Sequence, residues 1–191
     1  MSLRNSSLFC LLLSLILLAA PVTAFQGAET DHDPGISSEK LPWSKDLLAE
    51  SRQAACHGQP LVVMFGSSTC PYCSVVRSLY MIPLMSDERY PGIISRELEI
   101  DSAQLVRDFS GKWLPMSELA SKYGVTLVPQ VVVFGPDGEQ AGKPLIGISN
   151  EDFYGVYLDQ AIIAGSEMVK MSREKYSSDA PSVLPGAYAC D

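Results

Sequence analysis

The sequence predicts an α/β fold, and three observations carry that reading. Leu61-Val62-Val63-Met64-Phe65 is an uninterrupted apolar run closed by Gly66, the pattern of a strand buried on both faces. Directly after it, Val75, Val76, Leu79, Tyr80 and Ile82 recur at helical spacing. Gln130-Val131-Val132-Val133-Phe134 is a second strand, followed by the turn signal Gly135-Pro136-Asp137-Gly138.

The chain has 191 residues, 47% of them hydrophobic, enough for one domain with a sizeable core plus extensions. Its net charge of -8 argues against nucleic acid and anionic membrane surfaces as partners. Residues 1–24 read as a cleavable export signal. Arg4 is their only charge, Leu8 to Ala20 form an apolar region, and Val22-Thr23-Ala24 is a small-residue cleavage site. Residues 25–43 are polar, with Gly27, Pro34 and Gly35, and read as a flexible lead-in.

From residue 44 the elements follow in order. Ser44 is the expected N-cap of a helix whose apolar face is Leu47, Leu48, Ser51, Ala54 and Ala55, with Gly58 as its stop. Cys56 and His57 fall in its last turn, and His57 reads as a surface group. The strand at 61–66 and the helix after it come next, with Pro83 expected to kink or end that helix. Ile93 to Asp101 reads as a strand with Ile94, Arg96, Leu98 and Ile100 on one face. Glu97 lies on the other face and reads as solvated.

Residues 102–115 read as an inserted segment, with Leu105, Val106 and Phe109 fitting a short helix and Trp113 a core or lid anchor. Met116 to Tyr123 is a short helix capped by Gly124. After the strand at 130–134 a hairpin partner is expected between Gln140 and Gly147. Asn150 then caps a last helix whose face is Phe153, Val156, Tyr157, Gln160, Ala161 and Ala164. Residues 165–191 form a C-terminal extension, helical through about Lys175 and then a loose tail holding Cys190.

The chemistry concentrates at Cys70-Pro71-Tyr72-Cys73, where the first strand meets its helix. A helix N-terminus offers unpaired N–H groups and partial positive charge, and both favour a thiolate over a thiol. Cys73 lies about one turn below, within reach of the Cys70 sulfur. Pro71 suits the first turn, where its missing N–H has no intrahelical partner to lose. The spacing permits a disulfide that opens and closes without refolding, with Cys70 as nucleophile and Cys73 resolving the mixed disulfide. So short a loop gains little as a structural staple, which favours a redox role. Removing Cys10 with the leader leaves Cys56 and Cys190 besides this pair, joined to each other, free, or engaged with another chain.

The order of elements and two motifs resemble the thioredoxin superfamily over residues 44–164. One motif is Cys70-Pro71-Tyr72-Cys73; the other is Tyr123-Gly124-Val125-Thr126-Leu127-Val128-Pro129 leading into the strand at 131–134. The resemblance implies a thioredoxin fold: a central mixed four-stranded sheet flanked by helices, here with an insertion before the strand that follows Pro129. It implies a cis Val128–Pro129 bond packed opposite Cys70. Substrate chain would bind at Pro71, Tyr72, Val128 and Pro129 as an added strand.

The Pro71-Tyr72 dipeptide is similar to glutaredoxins, while the export signal and insertion resemble bacterial periplasmic thioredoxin-like proteins, including the SoxW-like group. Thr69 and Met64 stand where thioredoxins carry a tryptophan and a buried aspartate, and Glu97 is a candidate replacement for that acid. The implied protein is a periplasmic thiol–disulfide oxidoreductase, reductase rather than oxidase. It acts on cysteine-containing protein substrates, is served by a membrane electron-transfer partner and needs no cofactor or metal. The competing class is a non-enzymatic metal-thiolate carrier or assembly factor, since two close thiolates can hold a soft ion.

Overall fold

A computed structural model describes residues 40–148 and 151–179. The expected export signal, most of the expected lead-in, the expected Asn150 cap and the end of the tail with Cys190 lie outside the described residues. Strand β1 (Leu61–Gly66) is central, parallel to β2 (Ile94–Glu99) and antiparallel to β5 (Gln130–Phe134). Strand β6 (Leu145–Ile146) pairs antiparallel with β5, so the order is β2-β1-β5-β6. This is the expected mixed four-stranded sheet.

Both faces of the sheet are covered, which is why β1 and β5 are apolar without alternation. Val63, Phe65, Val132 and Phe134 point to one side, against α1 (Leu47–Cys56) and α4 (Met116–Lys122). Val62, Met64, Val131 and Val133 point to the other, against Val76, Met81 and Leu84 of the Cys helix and against α5 (Glu151–Asp179). Two cores, one per face, hold the sheet between helices.

Several elements differ from the sequence reading. The N-cap of α1 is Asp46, whose Oδ1 accepts from the Ala49 N–H at 2.9 Å. Ser44 is instead buried on the sheet edge: its N–H donates to the Glu97 carbonyl, while the Glu97 N–H donates to Pro42. The end of the lead-in is therefore docked, with Leu41 in the core.

The Cys helix ends at Leu84, one residue after Pro83, in keeping with the expected kink or stop there. It runs as α2 (Pro71–Val76), a π-helical turn (Arg77–Met81) and α3 (Ile82–Leu84). The wider turn comes just before Pro83, where a regular helix would lose a hydrogen bond and clash with the proline ring.

The inserted segment is a hairpin of β3 (Leu105–Arg107) and β4 (Trp113–Pro115), not a helix. Its turn is tied by the Asp108 carboxylate, which accepts from the Ser110 and Lys112 N–H groups at 2.9 Å. Val106 and Leu114 face the core, and by strand alternation Trp113 faces outward, exposed. It is not the core anchor the sequence suggested.

The last helix inverts its expected face. Tyr154, Leu158, Ile162, Gly165 and Val169 are buried, while Phe153, Val156, Tyr157, Gln160 and Ala164 are exposed. Gly165 explains the choice: a Cβ there would lie 2.7 Å from Pro60 and 2.8 Å from Val133, so only glycine lets this side approach the sheet. The helix continues to Asp179, past the expected start of a loose tail.

Candidate redox site

Strand β1 delivers Gly66, whose carbonyl accepts from the Ile100 N–H at 3.0 Å. The turn from Ser67 to Thr69 is held on the sheet: the Ser67 hydroxyl donates to Asp101 at 3.1 Å, and the Cys70 N–H to the Ser67 carbonyl. Cys70 is then the N-cap of α2, with Pro71 in the first turn. Its sulfur accepts from the Cys73 N–H at 3.1 Å, and the two cysteines form a disulfide. The pair is asymmetric. Cys70 is partly exposed, whereas Cys73 is fully buried.

The second motif arrives at the same end of the sheet. Phe65 pairs with Gln130 in the β1–β5 ladder, so Pro129 emerges beside Gly66, just ahead of the cysteines. The Val128–Pro129 bond is cis, as the resemblance implied. Pro129 is buried, Val128 half-buried, and Leu127 and Tyr72 are largely exposed. An exposed apolar rim thus flanks the partly exposed sulfur.

Glu97 corrects the sequence reading. It is buried, at 2% exposure, not solvated. It pairs in register with Met64, the position at which the expected acid is missing. A Cβ on Gly66 would lie 2.8 Å from the Glu97 Oε1 and 3.7 Å from the Cys73 Cβ. The Glu97 carboxylate and Cys73 therefore share the space over Gly66, and a side chain at 66 would fill it.

Arg77 completes the site and was missed by the sequence reading. Its Nε and Nη2 donate to the two oxygens of Glu97, the former at 2.8 Å. These bonds outweigh burial and hold the guanidinium above its ordinary, already high pKa. Its backbone N–H donates to the Cys73 carbonyl, one helical turn away. That i, i+4 relation to Cys73 was the available signal, since the two side chains must then lie on one helix face. Beyond Glu97, burial and the carboxylates of Asp101 and Glu97 push the Glu99 carboxyl up.

Other candidates fall elsewhere. His57 is exposed and packs over Gly92, at the sheet end where Leu61 pairs with Ile94, away from the cysteines. Cys56 is itself disulfide-bonded. Among the described residues no group of three or more His, Cys, Asp or Glu is placed to hold a metal ion, and no helix is long and apolar enough to cross a membrane.

The Thioredoxin-like domain family matches residues 49–161, more than half of the chain. The chain belongs to the thioredoxin-like domain family. A thioredoxin-like domain with a disulfide-forming Cys-x-x-Cys pair supports thiol–disulfide oxidoreductase chemistry at the level of the superfamily. No curated protein sequence matches the chain. Among solved structures it is similar to mitochondrial thioredoxin 3 of Saccharomyces cerevisiae in its oxidized form, at 21% identity and a TM-score of 0.43, covering 64% of this chain and 93% of that one. Thioredoxin O1 of Arabidopsis thaliana is 18% identical, with a TM-score of 0.44 and coverage of 65% and 99%. The C-terminal domain of Neisseria meningitidis DsbD, oxidised, is 17% identical, with a TM-score of 0.41 and coverage of 62% and 98%.

Proposed function

We propose that this thioredoxin-like domain is an exported thiol–disulfide oxidoreductase that reduces disulfides in protein substrates. The observation that carries the reading is the asymmetry of the pair: a partly exposed Cys70 at a helix start and a buried Cys73 one turn below. An accessible thiolate attacks; a shielded thiol reacts only with the sulfur already beside it.

In the reducing direction, the Cys70 thiolate attacks one sulfur of a substrate disulfide. The substrate S–S bond breaks, and its other sulfur leaves as a thiolate that takes a proton from solvent. Cys73 then loses its proton to the Glu97 carboxylate and attacks the Cys70 sulfur. The mixed disulfide breaks, the second substrate thiolate leaves and takes up a proton, Cys70–Cys73 forms, and Glu97 gives its proton back to solvent. Two electrons have passed from the dithiol to the substrate. Moving the proton from Cys73 to Glu97 keeps the net charge of the buried site constant, with Arg77 the fixed cation in both states. Tyr72, Leu127 and Val128 supply the apolar rim that holds substrate chain, with Pro71 and Pro129 shaping it.

The reading extends to a periplasmic, SoxW-like protein re-reduced by a dithiol donor at the membrane. Its support is the apolar leader at 1–24 and the inserted segment. A Cys73→Ala variant tests the core of the proposal. It should accumulate covalent, thiol-reversible adducts with cysteine proteins through Cys70, and Cys70→Ala should not. Absence of adducts would overturn it. The reduction potential of the pair tests direction: a value near −270 mV fits a reductase, and one near −120 mV an oxidase.

A further inference from the structure

The chain holds cysteines at 10, 56, 70, 73 and 190. Cys70 and Cys73 are bonded to each other, yet Cys56 is also in a disulfide. Its partner is therefore Cys10 or Cys190. Under the export proposed for this chain, on which this step rests, Cys10 leaves with residues 1–24. We infer that Cys56 and Cys190 form a second, structural disulfide that fastens the end of the chain to α1.

The chain has the reach to close it. Cys56 is the last residue of α1, and Gln59 follows just after it. Gln59 meets α5, where its Oε1 accepts from the Ser166 hydroxyl at 3.4 Å, and Gly165 packs on the neighbouring Pro60. Helix α5 therefore passes close to Cys56 well before its own end at Asp179. From Ser166 to Asp179 it rises about 20 Å. Residues 180–190 span up to about 36 Å when extended, so they cover the return with slack. Their sequence suits a reversal: Pro181 follows the helix end directly, and Pro185-Gly186 is a turn signal.

The two disulfides do different work. Cys56 precedes β1 and Cys70 follows it, and the strand between them runs about 17 Å from Leu61 to Gly66. Cys70 is thus held away from the second bond of its own chain. The redox pair closes a loop of a few residues, which constrains the unfolded chain little. A bond from 56 to 190 closes a loop that holds every strand of the sheet, and a loop of that length constrains the unfolded chain far more.

Two exchanges make the bond. One thiolate attacks an external disulfide, of small-molecule or protein kind, and is joined to one of its sulfurs; the other thiolate then displaces that sulfur. Cys56 and Cys190 lose two electrons, the external disulfide becomes two thiols, and the two protons pass to them.

Mass spectrometry of the non-reduced full chain, secreted behind its own leader and alkylated before digestion, tests the inference. Trypsin alone leaves Cys56, Cys70 and Cys73 in one peptide, residues 53–77, so a second cleavage at Met64 is needed. The expected product joins residues 53–64 to residues 176–191 and splits on reduction. The intact mass should be that of a monomer, and it shows separately whether residues 1–24 are gone. Cys190→Ala should release one alkylatable thiol at Cys56 and lower the unfolding midpoint by roughly 10 °C. An alkylated Cys56 in the natural protein, a peptide joining Cys56 to Cys10, or a dimer linked through these cysteines would overturn the inference. So would an unchanged midpoint in Cys190→Ala, which denies the bond a structural role. A retained leader with Cys56 bonded to Cys190 would support the bond and count only against export.

Discussion

Replacing Glu97 by glutamine removes a charge from the space beside Cys73 while keeping the side chain's size. The carboxylate is buried and takes two hydrogen bonds from Arg77. Truncating one partner of a buried pair commonly costs about 3–5 kcal/mol. Here the amide oxygen retains one acceptor, and the Arg77 side chain, 19% exposed, can recruit water. The loss is then nearer one charge-assisted hydrogen bond, about 2 kcal/mol. For a domain of this size that lowers the unfolding midpoint by roughly 5–10 °C.

The effect on exchange is separable. With no carboxylate to take its proton, Cys73 must give it to hydroxide or buffer. Resolution of the mixed disulfide should slow by at least about 10-fold, the lower end of what general base catalysis supplies being about 100-fold. The assay is a single turnover of reduced protein with a peptide disulfide, quenched in acid and scored for mixed disulfide. The variant should hold that intermediate longer, and its resolution should rise more steeply with pH than that of the natural protein. If the midpoint falls but the lifetime of the mixed disulfide and its pH profile are unchanged, Glu97 is only structural and the proton route is wrong.

Three further outcomes can be measured by thermal unfolding. Gly165→Ala should destabilise by about 1–2 kcal/mol, because contacts of 2.7 and 2.8 Å with Pro60 and Val133 outweigh a helix-propensity gain of about 1 kcal/mol. Gly155→Ala, whose Cβ would meet only the Tyr80 ring at 3.7 Å, should stabilise by about that gain; the same sign for both would refute the packing account. Tyr154→Phe should be neutral or stabilising by up to about 1 kcal/mol, since the buried Tyr154 hydroxyl has no hydrogen-bond partner among the described residues. Burial alone would raise the Asp108 carboxyl, but Lys122, Ser110 and the Lys112 N–H hold it well below the usual carboxylate range. A depressed folded pKa stabilises above the unfolded value, about 3.9, and that stability is lost as pH falls through the folded one. Asp108→Asn should therefore destabilise at neutral pH, with the difference from the natural protein shrinking as the pH drops below 4.

What was legible in the sequence had a local cause. The strand Leu61–Phe65, the Cys70 helix start and the turn at Gly135–Gly138 are each set by residues within a few positions of one another. What was missed depended on partners far along the chain. Asp46 rather than Ser44 caps α1 because the Ser44 backbone is claimed by Glu97 on the sheet edge. Periodicity revealed an apolar face on α5 but not which of two faces meets the sheet, a choice made by Gly165 against Pro60 and Val133. Glu97 looked solvated because alternation places it off the Leu98 face, but the second face of β2 is buried too. Arg77, four residues after Cys73, carried a readable signal that only a buried acid opposite would give meaning.

The docked strap at 41–46 bears on where the working unit of this protein begins. The Glu97 N–H and carbonyl are both bonded to the strap, to Pro42 and Ser44, while Asp46 reaches the hairpin through Arg107 at 3.2 Å. The family match starts at residue 49, after the strap. A chain trimmed to that boundary would keep both cysteines and every strand of the sheet, yet leave the backbone N–H and carbonyl of Glu97 without their partners. The boundary drawn by kinship and the boundary drawn by chemistry differ here by about one short strand.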